Sequence, residues 1–221
     1  YAEGHAHLAR AYELLVATRG EEDAETLGLF CDLSHPTRVV FGAVEAARLM
    51  RAGLASMRAV LGDDHPVTHR GESMLAWALV QLRDGVEEAA ELFGRALDRE
   101  QLAQAGDGEF LSSHVSGLGQ ALLALGRADE SCEVFLAFRE RLLGAVNPAS
   151  PTGLKYDGSL IQALLQVDRL DEAEELALAT GGVTRRMPDG PEAGFRLVAK
   201  RDAAALDPLL ATLPFTPDVV Q

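Results

Sequence analysis

The sequence predicts an all-α fold built as an array of antiparallel helix pairs, and three observations carry that prediction. The first is a fixed period: the small residues Ala46, Ala89, Ser131 and Ala173 lie 43, 42 and 42 residues apart, a spacing that marks a repeat array. The second is apolar residues at helical spacing, such as Ala89, Leu92, Phe93, Ala96 and Leu97. The third is a recurring linker: the LGDDHPVT that opens the stretch Leu61 to Leu102 returns in decayed form at residues 103–107 and as a proline-and-threonine ending at residues 147–152.

Taken in order, residues 2–19 carry Leu8, Tyr12, Leu15 and Val16 on one face, with Gly20 as a stop. Acids at 21–23 suit the positive end of a second helix from Ala24 to Leu33, which stops before Pro36. One long helix is expected from Thr37 to Leu61, striped by Val40, Val44, Ala47, Met50, Leu54 and Met57 and ended by Gly62. These make an irregular first pair, because His35-Pro36 falls inside it whereas His65-Pro66 falls between pairs. Pro66 suits a first helical turn, so the second pair is 66–83 and 86–101, joined by Arg83-Asp84-Gly85. The third pair is 109–125 and 128–143. The fourth is 152–167 and 170–180, stopped by Gly181-Gly182. Beyond it the pattern is lost, and short helices at 192–200 and 202–213 would close the open end of the array. The domain reading is an N-terminal helix over 1–22, an array of about four pairs over 23–182, and capping helices with a tail over 183–221.

The third unit carries a family resemblance. Its Leu118-Gly119, Leu122, Gly126-Arg127, Glu130-Ser131 and Phe135, with Phe138 where a small residue is usual, resemble the tetratricopeptide (TPR) pattern. The LGDDHPVT linker resembles the long variety found in kinesin light chains and many bacterial signalling proteins. The resemblance implies a right-handed superhelical array, a TPR-like α-solenoid, whose first helices line a groove that holds a partner. In its register the groove positions are Met74, Ala78 and Gln81 in unit two, Ser113, Ser116, Gln120 and Leu123 in unit three, and Lys155, Gly158, Gln162, Leu165 and Gln166 in unit four. Trp77 occupies a position where a small residue is usual, which implies a local shift of packing. Gly119, Ala89 and Ala173 read as close-approach positions, with Phe93 and Phe135 as the space fillers.

Composition bounds the function. The 221 residues are 48% hydrophobic and 24% charged, ample for a core, and carry a net charge of −14. That charge argues against nucleic acid and anionic membranes, which need a basic surface, and favours a protein or peptide partner that is neutral to basic. Cys31 and Cys132 lie in apolar helical text and read as buried reduced thiols, which fits the cytoplasm. No apolar run approaches membrane-spanning length, and the N-terminus lacks the regions of a signal peptide. A start at Tyr1 fits a piece trimmed from a longer chain, and the abundance of Ala, Leu, Arg, Glu and Gly points to a bacterium of high GC content.

Catalytic constellations are weak. His65 and His69, near Asp63, Asp64 and Glu72, have a spacing that could serve a metal, yet no third ligand is fixed and His65 belongs to the linker. Ser112, Ser113 and His114 adjoin one another but diverge on a helix, and no nucleophile elbow or phosphate-cradling glycine loop occurs. Neither a catalytic residue, a metal nor a cofactor is therefore assigned. Chaperone-tail recognition is disfavoured, since Lys155 alone falls at a clamp position. Gln120 and Gln162, one repeat apart, can each donate to and accept from a peptide backbone. The leading reading is a peptide-binding scaffold or sensor within a bacterial regulatory or assembly system. The alternative is an enzyme or small-ligand binder on a helical frame, with a pocket lined by Trp77, His114 and Tyr156 and closed by the terminal segments.

Overall fold

The computed structural model describes residues 1–103, 108–145, 147 and 150–184. Among them every regular element is helical: α1 (Ala2–Arg19), α2 (Ala24–Asp32), α3 (Ser34–Phe41), α4 (Ala43–Leu61), α5 (Pro66–Leu79), α6 (Val86–Ala103), α7 (Gly108–Ala124), α8 (Ala128–Ala145), α9 (Pro151–Gln166) and α10 (Leu170–Thr184). The chain divides into two compact units, Tyr1–Arg127 and Ala128–Gln221, so the boundary falls inside the third sequence pair. The helices expected at 192–200 and 202–213 lie outside the described residues.

The repeat column set by the sequence is the most buried one. Ala46, Ala89, Ser131 and Ala173 are all at 0% exposure, as are Phe93 and Phe135 four residues beyond two of them. Small side chains at that column let the helices approach, and the aromatic rings fill the space beside them. In the first unit α4 packs on α5, α5 on α6 and α6 on α7, around a core that includes Met50, Leu54, Met57, Leu75, Leu79, Leu92 and Phe93. In the second unit α9 packs against both α8 and α10, with Leu160, Ile161 and Leu164 fully buried.

Helix starts follow their residues. Asp23 accepts the backbone N–H groups of Glu25 and Thr26 and so caps α2. His65, a linker histidine, uses its ring Nδ1 to accept the Val67 N–H at 3.2 Å ahead of Pro66 in the first turn of α5. Ser150 caps α9 through the Gly153 N–H.

Four boundaries differ from expectation. The single helix expected over 37–61 is two, because Gly42 takes a φ of 92° that side chains rarely adopt and separates α3 from α4. Helix α2 ends at Asp32, ahead of Pro36 as expected, but the next helix begins at Ser34 rather than Thr37, with Pro36 in its first turn where a missing N–H costs nothing. Val44, expected in the buried stripe, is exposed because it follows the Gly42 break. Helix α5 ends at Leu79 rather than 83, the chain re-forming as a 3-10 turn at Arg83–Gly85. Helix α10 continues through Gly181 and Gly182 to Thr184.

Candidate functional site

The first helices α5, α7 and α9 carry the predicted groove residues, and the two units are described separately. In the first unit, α5 and α7 are joined by two side-chain bonds. Trp77 donates its indole N–H to Ser113 Oγ at 3.1 Å, and Ser73 Oγ lies 2.9 Å from His114 Nε2. Ser113 thus has a packing role at the edge of the predicted face. Met74 is half-buried against the core, while Gln120 is half-buried and Gln81 exposed just beyond the end of α5. Ser116 is 4% exposed and lies inside the packing rather than at a surface. Ala78 is buried for the same reason.

In the second unit Lys155 and Gln166 are exposed on α9 and Gln162 is half-buried, the same degree of burial as Gln120 one repeat earlier. Leu165 is buried. The exposed or half-buried part of the predicted set is therefore Met74, Gln81, Ser113, Gln120 and Leu123 in one unit and Lys155, Gly158, Gln162 and Gln166 in the other. Sequence reasoning missed Phe110, which stands 54% exposed on the first turn of α7 and stacks on His114 with ring centroids 6.5 Å apart. Its signal was an aromatic three residues before Ser113 on the same helical face.

The large Trp77 is accommodated by its neighbours. Its ring meets Phe93 edge-on at 5.2 Å, and Phe93 is backed by Gly117, where an added Cβ would come within 2.4 Å of the ring. The period places Leu75 and Ser159 at the positions equivalent to Gly117, so the glycine gives unit three room for the Phe93 ring. Gly119, the expected close-approach residue, is buried as well.

One column of the first helices is polar yet buried: Glu72, His114 and Tyr156, spaced 42 residues apart. Each finds a different partner. Tyr156 donates its hydroxyl to the Phe135 carbonyl, and burial raises its pKa. His114 is held neutral, its pKa pushed down to about 4 by burial and by Arg99. Glu72 meets Arg58 at 2.7 Å, Arg99 at 2.7 Å and Arg95 at 3.5 Å. Burial alone would raise the Glu72 carboxyl, but the bonds from Arg99 and Arg58 bring it below the usual range. The three residues proposed as a pocket lining, Trp77, His114 and Tyr156, are each bonded within their own unit's packing.

Both thiols are buried. Burial raises Cys31 to about 11 and raises Cys132 as well, and neither is in a disulfide. No group of His, Cys, Asp and Glu among the described residues has a metal-binding arrangement, and no described helix is long and apolar enough to cross a membrane.

The fold is that of TPR-like repeats. Two crystal structures of a kinesin light chain candidate from Podosopora anserina, with nearly identical TPR-like repeats, are similar to this chain. One aligns at a TM-score of 0.65 with 20% identity, over 84% of this chain and 89% of that one. The other, a point variant of that same protein, aligns at 0.67 with 19% identity over 83% and 86%. No family model and no curated protein matches the sequence.

Proposed function

We propose that the chain is a protein- or peptide-binding scaffold or sensor module whose first-helix faces hold an extended partner segment. Supporting this reading is the recurrence of a half-buried glutamine one repeat apart: Gln120 on α7 and Gln162 on α9 present amides at the same register position of successive first helices. An amide that reaches the surface can donate to and accept from an extended backbone. Exposed Gln81, Lys155 and Gln166 extend the two faces, and Phe110 adds an aromatic anchor of the kind enriched at interfaces. The −14 charge favours a neutral to basic segment over nucleic acid or an anionic membrane. A cytoplasmic setting, within a bacterial regulatory or assembly system, accords with the composition and the two unpaired buried thiols.

The test is affinity capture from the source lysate, followed by titration of the retained protein against parent and variant. Changing Gln120→Ala with Gln162→Ala weakens binding on this reading, with helicity and melting temperature close to the parent's. Equal affinity in the double variant overturns the assignment of these faces.

A further inference from the structure

Glu72 is surrounded by more positive charge than it can use. Its side chain is 6% exposed, while those of Arg58, Arg95 and Arg99 are 43%, 46% and 33% exposed. Three guanidiniums offer far more N–H donors than two carboxylate oxygens accept. Arg58 turns another donor to the exposed Asp63 at 3.1 Å. Arg95 is the least engaged, its one contact with Glu72 being 3.5 Å long. Among the described residues the three arginines contact two carboxylates, Glu72 and Asp63. Of the neighbouring titratable groups, His69 and His114 both lie within the field of Arg99 and have their pKa values lowered, first by burial and then by that charge, while Asp64 joins Glu72 in opposing it at His69. His69 Nε2 is buried without a hydrogen-bond partner.

We propose that Arg95 and Arg99, backed by Arg58, form an oxyanion-binding site on the α4 and α6 side of α5, taking a single phosphate or carboxylate group at the half-exposed guanidinium edges above Glu72. Planar guanidiniums suit such a ligand because they bind oxyanions with two parallel bonds. Glu72 would fix the three arginines in place and, as the resident anion, weaken the visitor's hold on them.

That competition supplies the test. Inorganic phosphate, a short peptide carrying one phosphoserine, and the same peptide with glutamate in its place are titrated separately into the full chain, read by NMR of the arginine Nε–Hε and histidine ring resonances. Binding to the parent that weakens at least fivefold in Arg95→Gln and tightens severalfold in Glu72→Gln supports the site. Arg95→Gln leaves two arginines on Glu72, and circular dichroism checks that both variants fold as the parent does. Phosphate binding as tightly as the peptides identifies a free anion as the ligand, whereas tighter peptide binding identifies a partner segment. The proposal is overturned if neither the parent nor Glu72→Gln binds any probe, or if Arg95→Gln binds as the parent does.

Discussion

Two buried carboxylates in this chain have opposite fates. Glu72, in the first unit, is contacted by three arginines and its pKa falls below the usual range. Asp157, in the second, is equally buried, but among the described residues its ion-pair partner is Arg139 alone, whose Nε is 4.0 Å from its Oδ1, and that oxygen has no hydrogen-bond partner among them. Its pKa is raised, with burial outweighing the distant Arg139. Burial is nearly the same in the two cases, so the number and closeness of donors decide the sign. A carboxylate with close guanidiniums binds the surrounding helices together, whereas one with a loose partner weakens its unit at neutral pH.

The largest expected effect comes from stripping Glu72 of its two close partners. Arg58→Ala with Arg99→Ala leaves an undercompensated buried charge and should cost the first unit about 3–5 kcal/mol. Urea unfolding followed by Trp77, the only tryptophan in the chain, measures it. A loss well under 1 kcal/mol would mean that Glu72 is solvated or protonated in the folded state.

Packing should come next. Gly117→Leu forces side-chain atoms into the Phe93 ring, which a bare Cβ already approaches to 2.4 Å, and should cost about 1–3 kcal/mol or more by the same unfolding measurement. An unchanged midpoint would show that Phe93 can move aside. This variant changes no charge, so it separates packing from electrostatics in the first unit.

Acid should move the two units in opposite directions. Glu72 has a folded pKa below its unfolded one, so its contribution is present above the unfolded value and fades as pH falls through the folded value. His114, depressed to about 4, acts in the same sense: its neutral folded form loses ground as pH drops from the ordinary histidine range toward 4. Asp157 has a raised folded pKa, so its contribution is complete below the ordinary aspartate value and is lost as pH rises through the raised one. Hydrogen exchange between pH 7 and pH 4, corrected for intrinsic rates, should therefore show α5 losing protection faster than α9. Equal loss in both helices would remove the contrast.

The smallest effect is predicted for Asp157→Asn. It keeps the shape and removes a poorly paired charge, so stability at pH 7 should be unchanged or up by about 1 kcal/mol, read from the protection of α9. A marked loss would show that Arg139 holds Asp157 more firmly than a 4.0 Å separation suggests.

The same contrast shows where the sequence was legible. The column Ala46, Ala89, Ser131 and Ala173 could be found because small size recurs at a fixed period, and the fold places all four out of solvent. The structural role of His65 was implied by the resemblance of its linker to the family's, and the residue caps α5. The arginine cluster could not be found that way: its members lie 14, 23 and 27 residues from Glu72, on two other helices, with no period linking them. The Gly42 break was hidden because glycine within helical text reads equally as a tolerated interior residue, and only the φ of 92° distinguishes the two. Among the groove positions, periodicity identified the helix but not the depth. Ser116 and Gln120 are four residues apart on α7, yet one is buried and the other half-exposed, because the adjacent helix covers only part of the stripe.

The most direct test of partner binding on the first helices is site-specific photo-crosslinking. A photoreactive residue is placed at position 120 or 162, and, as a control, at Glu91 or Glu133, exposed positions on the second helices α6 and α8. On this account the captured partner should crosslink from 120 and from 162 and not from 91 or 133. Crosslinking confined to 91 and 133, with none from 120 or 162, would contradict it.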